Sequence, residues 1–277
     1  MRSRVLLVTG ALLWAVTVAA QGPAPPGPPV DISTLKNFLP LGPPAGLKPS
    51  AAADLSGSWL RSGGLQSVSL ADVGGKMRGK EPDIPYQSWA LEKMLSEVPP
   101  TGPFAEPHRT TDPWIQYCEV NGPFRIFMHP GRMAFVPLPD RVLILHEVMQ
   151  QFRIVRLNSA HPPLEDLDPT WWGDSIGWYE NGDTLVVDTI GTNGRTWLSQ
   201  QGHPTTQKLH VIERYRRVDQ ATMVVDFMID DPGAYTRAFP ARVNLRQSTV
   251  PFMQSPWNCS VRDNTDFTEK LLKDAVP

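Results

Sequence analysis

The chain has little cysteine, little excess charge and few long apolar runs. Its 277 residues contain two cysteines, and 26 Lys and Arg nearly balance 28 Asp and Glu, for a net charge of −2. No basic stripe with interleaved aromatic residues occurs, so nucleic acid is not an expected partner. No segment after the first 20 residues is apolar for the ~20 residues that a membrane span needs, so we expect no stable membrane insertion of the mature chain.

Metal-ligand spacing is also missing, so we expect no metal and no cofactor. None of the six histidines is paired at such a spacing, and His146-Glu147 begins an H-E-x-x-H pattern that fails because Gln150 replaces the second histidine. A site assembled in space from distant histidines stays open as an alternative.

The N-terminus has the pattern of a secretory signal. Arg2 and Arg4 precede an apolar stretch, and Val18-Ala19-Ala20 is typical of a cleavage site, so residues 1–20 are the expected signal peptide. Residues 21–53 are rich in Pro and Gly and predict an extended, disordered tether. The remaining 54–277 are expected to form one domain in the periplasm or outside the cell. The alternative for the apolar stretch is an uncleaved membrane anchor.

The two cysteines are Cys118 and Cys259. An oxidising compartment favours a disulfide between them, which would close a loop across most of the domain. The alternative is two buried free thiols.

The rest of the pattern predicts a mostly β fold. Asp54–Trp59 is an expected first strand, Ile84–Glu97 the one short helix, and Asn181-Gly182 the turn of a tight β-hairpin. Successive strands predict an antiparallel meander, either curled into a sandwich or closed into a lipocalin-like β-barrel, and we adopt the barrel. The comparison with lipocalins is an analogy of fold only.

Alternation along the strands predicts three polar side chains inside the barrel: Glu147, Arg153 and Glu213. Two carboxylates beside one arginine can have separated pKa values, so they are candidate catalytic groups, with the glutamates as acid and base and Arg153 as an anion clamp. The alternative is a buried ion-pair network that fixes strand register.

Aromatic residues and loop histidines are the candidate ligand-binding groups. Stacking and apolar contact are expected from Trp171, Trp172, Trp178, Tyr179 and Tyr215. His161 and His203 lie in the two long loops, where ligand contacts of a barrel usually sit; the alternative is a solvated histidine. Gly173-Asp-Ser-Ile-Gly177 matches the hydrolase pattern G-x-S-x-G, but no strand precedes it and no helix follows, so we interpret its glycines as packing the Trp171 and Trp172 rings.

These motifs resemble a large family of exported bacterial proteins. The resemblance rests on Trp171-x-Gly173-x-Ser175-x-Gly177, Glu180 and, most specifically, the run from Gly182 to Thr189. It implies the fold, export and the disulfide, and it adds no chemistry. The chain departs from the family pattern by one extra residue and a missing Arg in the hairpin, and by a missing Asp and Arg before His161.

Three functions follow as hypotheses. The first is an exported protein that binds a small hydrophobic or aromatic molecule. The second is a lyase, isomerase or hydrolase that uses the interior carboxylates. The third is a structural module of the cell envelope, and a filled interior whose polar groups pair with one another would favour it.

Overall fold

The described part of the chain contains nine strands and, within residues 84–129, three short α-helices. The computed structural model describes residues 54–62, 84–96, 112–129, 131–199, 202–253, 259–263 and 266. The helices are α1 (Ser88–Ser96), α2 (Pro113–Tyr117) and α3 (Gly122–Arg125). The strands are β1 (Ser58–Arg61), β2 (Arg132–Pro137), β3 (Arg141–His146), β4 (Gln151–Leu157), β5 (Asp174–Glu180), β6 (Thr184–Ile190), β7 (His210–Arg217), β8 (Thr222–Asp230) and β9 (Phe239–Gln247).

The strands close into a barrel in chain order, with β9 paired back to β1. This confirms the predicted mostly β barrel with a short helix near residues 84–97. All neighbours are antiparallel except β4 and β5, which run parallel over two residue pairs, Arg156 with Ile176 and Leu157 with Gly177. The long loop 158–173 allows this exception because it returns the chain along the barrel before β5 begins.

The predicted Asn-Gly hairpin joins β5 to β6. Asn181 and Gly182 have φ of 52° and 79°. Two successive residues in the left-handed region form the turn whose twist matches paired strands, and Asn and Gly enter that region at the least cost. The hairpin therefore fixes the register of Glu180 opposite Thr184.

A helical segment of the chain itself fills the barrel interior. Residues 122–128, formed by α3 and a 3₁₀ turn over Ile126–Met128, are all buried. The ring centroids of Phe124 and Phe127 lie 4.9 Å and 5.1 Å from that of Phe227 on β8. Segment 122–128, called the plug from here on, thus occupies the space in which a lipocalin-type barrel would hold a ligand.

Cys118 and Cys259 form a disulfide, as predicted, with their Cα atoms 5.8 Å apart. Within the described ranges, no helix is long and apolar enough to cross a bilayer. The predicted signal peptide and tether, residues 1–53, lie outside the described residues.

Candidate functional site

Arg153 and Glu213 lie at the centre of a buried polar network. The Arg153 guanidinium donates to Glu213 from Nη1 (3.1 Å) and from Nη2 (2.6 Å), and both side chains are almost fully buried. Arg153 also donates to Ser175 Oγ (3.0 Å) and Thr189 Oγ1 (2.6 Å), while the Tyr215 hydroxyl donates to Glu213. Burial and the neighbouring Glu213 charge raise the pKa of Tyr215 well above its usual value. With both carboxylate oxygens engaged, Glu213 is arranged as half of an ion pair.

The predicted position of Glu147 inside the barrel is wrong. β3 ends at His146, because Met149 and Gln150 adopt positive φ and turn the chain away from the strand. Glu147 accepts from Arg132 N (2.9 Å) and Arg132 Nη1 (2.6 Å), and contributes nothing to the Arg153 network. The interior face of β3 carries Val142, Ile144 and His146 instead.

The aromatic candidates separate into core and surface residues. Trp178, Tyr179 and Tyr215 are buried, with relative exposures of 8% or less. Trp172 is half-buried and stacks on His146, with centroids 5.4 Å apart and planes 13° apart. Trp171 is half-buried and receives the Arg195 guanidinium 5.0 Å from its ring centroid. Of these five candidates, only Trp171 and Trp172 therefore keep surface on which a molecule from solvent can stack.

The G-x-S-x-G segment is structural, but its glycines do not pack the tryptophan rings as predicted. A Cβ on Gly173 would lie 2.3 Å from Ile190 O, and one on Gly177 would lie 2.7 Å from Val155 Cγ1. These glycines instead allow the close approach of β5 to β6 and β4. Ser175 is buried within the Arg153 network, so its hydroxyl does not reach solvent.

The two loop histidines have different surroundings. His203 is buried, and its Nδ1 shares a hydrogen bond with the Tyr86 hydroxyl. His161 Nδ1 lies 2.6 Å from Asp174 Oδ2, and its Nε2 lies 3.5 Å from Asp188 Oδ1. Neither is the solvated loop histidine of the alternative interpretation.

His161 belongs to a charged cluster, the outer cluster, that sequence analysis did not identify. His210 Nε2 lies 2.7 Å from Asp188 Oδ1, and Arg156 Nη2 donates to both oxygens of Asp174 at 2.8 Å. The cluster joins loop 158–173 to β5, β6 and β7. Asp188 interrupts an apolar strand, and a buried acid needs a partner, which is the signal that points to it. Among the described residues, no three His, Cys, Asp or Glu side chains are arranged to hold a metal ion.

Charge pairing fixes the protonation of this cluster. Burial lowers the pKa of His161, but the hydrogen bonds and charges of Asp188 and Asp174 outweigh burial and raise it. Burial raises the pKa of Asp188, but hydrogen bonds from His161 and His210 outweigh that and lower it to about 2. The raised pKa favours the protonated form of His161, whose two ring nitrogens are directed at two carboxylates.

We expect the folded chain to lose stability as pH rises above ~6.5, the ordinary pKa of histidine. Because the pKa of His161 is raised in the folded state, its contribution to stability is complete below the pKa of the unfolded state. That contribution is lost as the pH rises through the pKa of the folded state. Urea unfolding of the wild type and of His161→Gln between pH 6 and 9 measures this. The wild type should have the larger free energy of unfolding at pH 6, and its excess over the variant should shrink as the pH rises to 9. A difference in free energy that does not change with pH would contradict the pairing.

A contiguous apolar patch, called the outer wall, covers the outside of β2, β3 and β4. The strand register places Val136 beside Leu143, Leu143 beside Ile154, and Leu145 beside Phe152. Phe152 is 59% exposed, Ile154 43% and Val136 36%, while the two leucines are half-buried. Its edge carries arginines that are paired with acids: Arg132 with Glu147, Arg141 with Asp140 and Arg156 with Asp174.

Two of the cavities lined by described residues bear on ligand binding. One, of about 10 Å³, lies between the plug and the last residues of β1 and β3, Arg61 and His146. The other is an open groove of about 330 Å³, lined by Asp54, Gly182, Asp183, Arg217 and Asp219. The first has room for one water-sized sphere, and the second is polar. Neither provides the apolar enclosure that a small hydrophobic ligand needs.

Comparison with known proteins does not assign the chain to a family. No family model matches the sequence, and a search of curated proteins found no match.

Proposed function

We propose that this is an exported binding protein that captures hydrophobic or aromatic molecules on the outer wall. The observation that carries the proposal is the patch itself, in which Val136, Leu143, Leu145, Phe152 and Ile154 adjoin one another across three strands. Contiguous exposed apolar surface with a polar edge is the usual mark of a binding surface. The disulfide supports export, since disulfides persist in oxidising compartments.

The plug supports a binding surface on the outside of the barrel, because it occupies the interior. Phe124 and Phe127 fill the interior, and Arg153 and Glu213 satisfy each other there. The same pairing gives no support to the acid and base hypothesis, because Glu147 and Glu213 belong to separate ion pairs.

Binding of the neutral dye Nile red tests the proposal. Phe152→Ser removes the single aromatic ring of the outer wall, and the lost apolar contact should weaken dye binding about tenfold. Fluorescence titration of the purified mature protein measures the dissociation constant. Mass spectrometry should then find molecules that co-purify with the wild type and not with the variant.

Leu164→Ser is the matched control, because Leu164 is 57% exposed but lies on a 3₁₀ turn outside the patch. It should bind Nile red as the wild type does. Equal dye affinity in wild type and Phe152→Ser would refute the outer wall as the binding surface.

The filled interior favours a second candidate function, a structural module of the cell envelope. Each nitrogen of the Arg153 guanidinium and each carboxylate oxygen of Glu213 has a hydrogen-bond partner inside the barrel. A rigid domain on an extended tether needs no ligand. Failure of the wild type to bind Nile red or any co-purifying molecule would leave this candidate in place of the first.

A further inference from the structure

Three buried nitrogen atoms around the 10 Å³ cavity have no hydrogen-bond partner among the described residues. They are Arg61 Nε, His129 Nε2 and His146 Nε2. The residues are 8%, 4% and 4% exposed, and all three line the same cavity. Buried polar groups in folded proteins are nearly always hydrogen-bonded, so three unpaired groups at one cavity indicate a binding site.

The charge around the cavity is positive by one unit. Arg61 donates from Nη1 to the carbonyl of Phe127 at 3.2 Å and forms no ion pair with a described residue. The other arginines nearby are each paired with an acid: Arg132 with Glu147, Arg125 with Asp112, and Arg153 with Glu213. A buried cation without a counter-charge is costly, and a monovalent anion would neutralise this one.

The two histidines are neutral and can donate without adding charge. Burial lowers the pKa of His129 to about 3, helped by Arg125 and Arg61. Burial and the Arg153 charge likewise lower the pKa of His146 to about 3. A neutral imidazole can carry its proton on Nε2 and donate it to an anion, whereas the Arg61 guanidinium disfavours a metal cation in the same place.

We propose that this cavity binds one monovalent anion of chloride size, held by N–H groups of Arg61, His129 and His146. The volume supports a monatomic occupant, because about 10 Å³ corresponds to one water-sized sphere and excludes sulfate or phosphate. The three residues come from β1, from the position that directly follows the plug, and from β3. The anion would therefore join the plug to the barrel wall.

Chloride binding to the purified full-length mature protein tests the site. Chloride-35 line broadening is measured in sodium chloride, and thermal unfolding is compared between sodium chloride and sodium gluconate at equal ionic strength. We expect chloride to broaden the line and raise the melting temperature. Bromide should displace chloride, and sulfate should not, because sulfate is too large for the cavity.

Arg61→Gln should weaken chloride binding about tenfold, since it removes the one uncompensated charge. Arg242→Gln is the control, because Arg242 is an exposed arginine on β9 and should leave binding unchanged. If Arg61→Gln does not fold, the wild-type competition between bromide and sulfate decides. Equal stability in chloride and gluconate would show that the cavity holds only water. Displacement of chloride by sulfate as well as by bromide would show that chloride binds at the surface. Either result overturns the proposal.

Discussion

Glu213→Gln should lower the free energy of unfolding by about 3–5 kcal/mol, because it leaves the Arg153 cation buried without its counter-charge. Arg153 and Glu213 are 3% and 0% exposed, so solvent cannot replace the lost partner. Urea denaturation at neutral pH with the disulfide intact measures the loss. The double variant with Arg153→Met should be more stable than the sum of the single losses predicts, by about 0.5–3 kcal/mol.

The exposed pair of Arg242 and Asp226 is the control for this experiment. Its atoms lie 2.5 Å apart, at side chains that are 54% and 39% exposed. Arg242→Met should therefore change the free energy of unfolding by only about 0–1 kcal/mol. Additive losses in the Arg153 and Glu213 cycle would mean that the two groups do not interact as the structure describes.

Phe127→Ala should cost about 3–5 kcal/mol of stability, because it removes a buried ring from the plug and leaves an apolar cavity. The ring contacts Phe227 and Tyr215 at centroid distances of 5.1 Å and 6.3 Å, and the residue is 2% exposed. Denaturant unfolding measures the loss. The new cavity should also take up benzene, which stabilises the variant and leaves the wild type unchanged.

Phe152→Ala is the matched control, since it removes the same ring from a residue that is 59% exposed. Its effect on stability should stay within about 0.5 kcal/mol. Similar losses for the two alanine variants would contradict the interior position of the plug.

Strand positions were predictable from the sequence because turn residues separate the strands. Asn181-Gly182 fixed one hairpin, and the predicted strand Phe152–Leu157 differs from β4 by one residue. The inward face of β4 and β7 was also predictable, since Arg153 alternates with apolar residues that need burial. On β3 both faces are apolar, so alternation could not separate Leu143 and Leu145, which lie outside, from Val142 and Ile144, which lie inside.

The plug and the outer cluster could not be predicted in the same way. α2 and α3 have five and four residues, which is too short for a helical period to appear. The outer cluster assembles His161, Asp174, Asp188 and His210 from a loop and three strands, so no local spacing relates them. Only Asp188 could be singled out from the sequence, because an acid within an apolar strand is costly to bury without a partner.

The pairing of β1 with β9 has a consequence for how the chain folds. Residues near 59 and 247 must meet before the barrel closes, and the plug lies in the chain between β1 and β2. Contacts of such long sequence separation form slowly, because the chain entropy of a large loop is lost before any contact compensates it. We expect the amides of β1 and β9 to gain protection together and last in pulsed hydrogen-exchange refolding, after the β5–β6 hairpin. A final slow step would leave the plug enclosed by a barrel that closes around it.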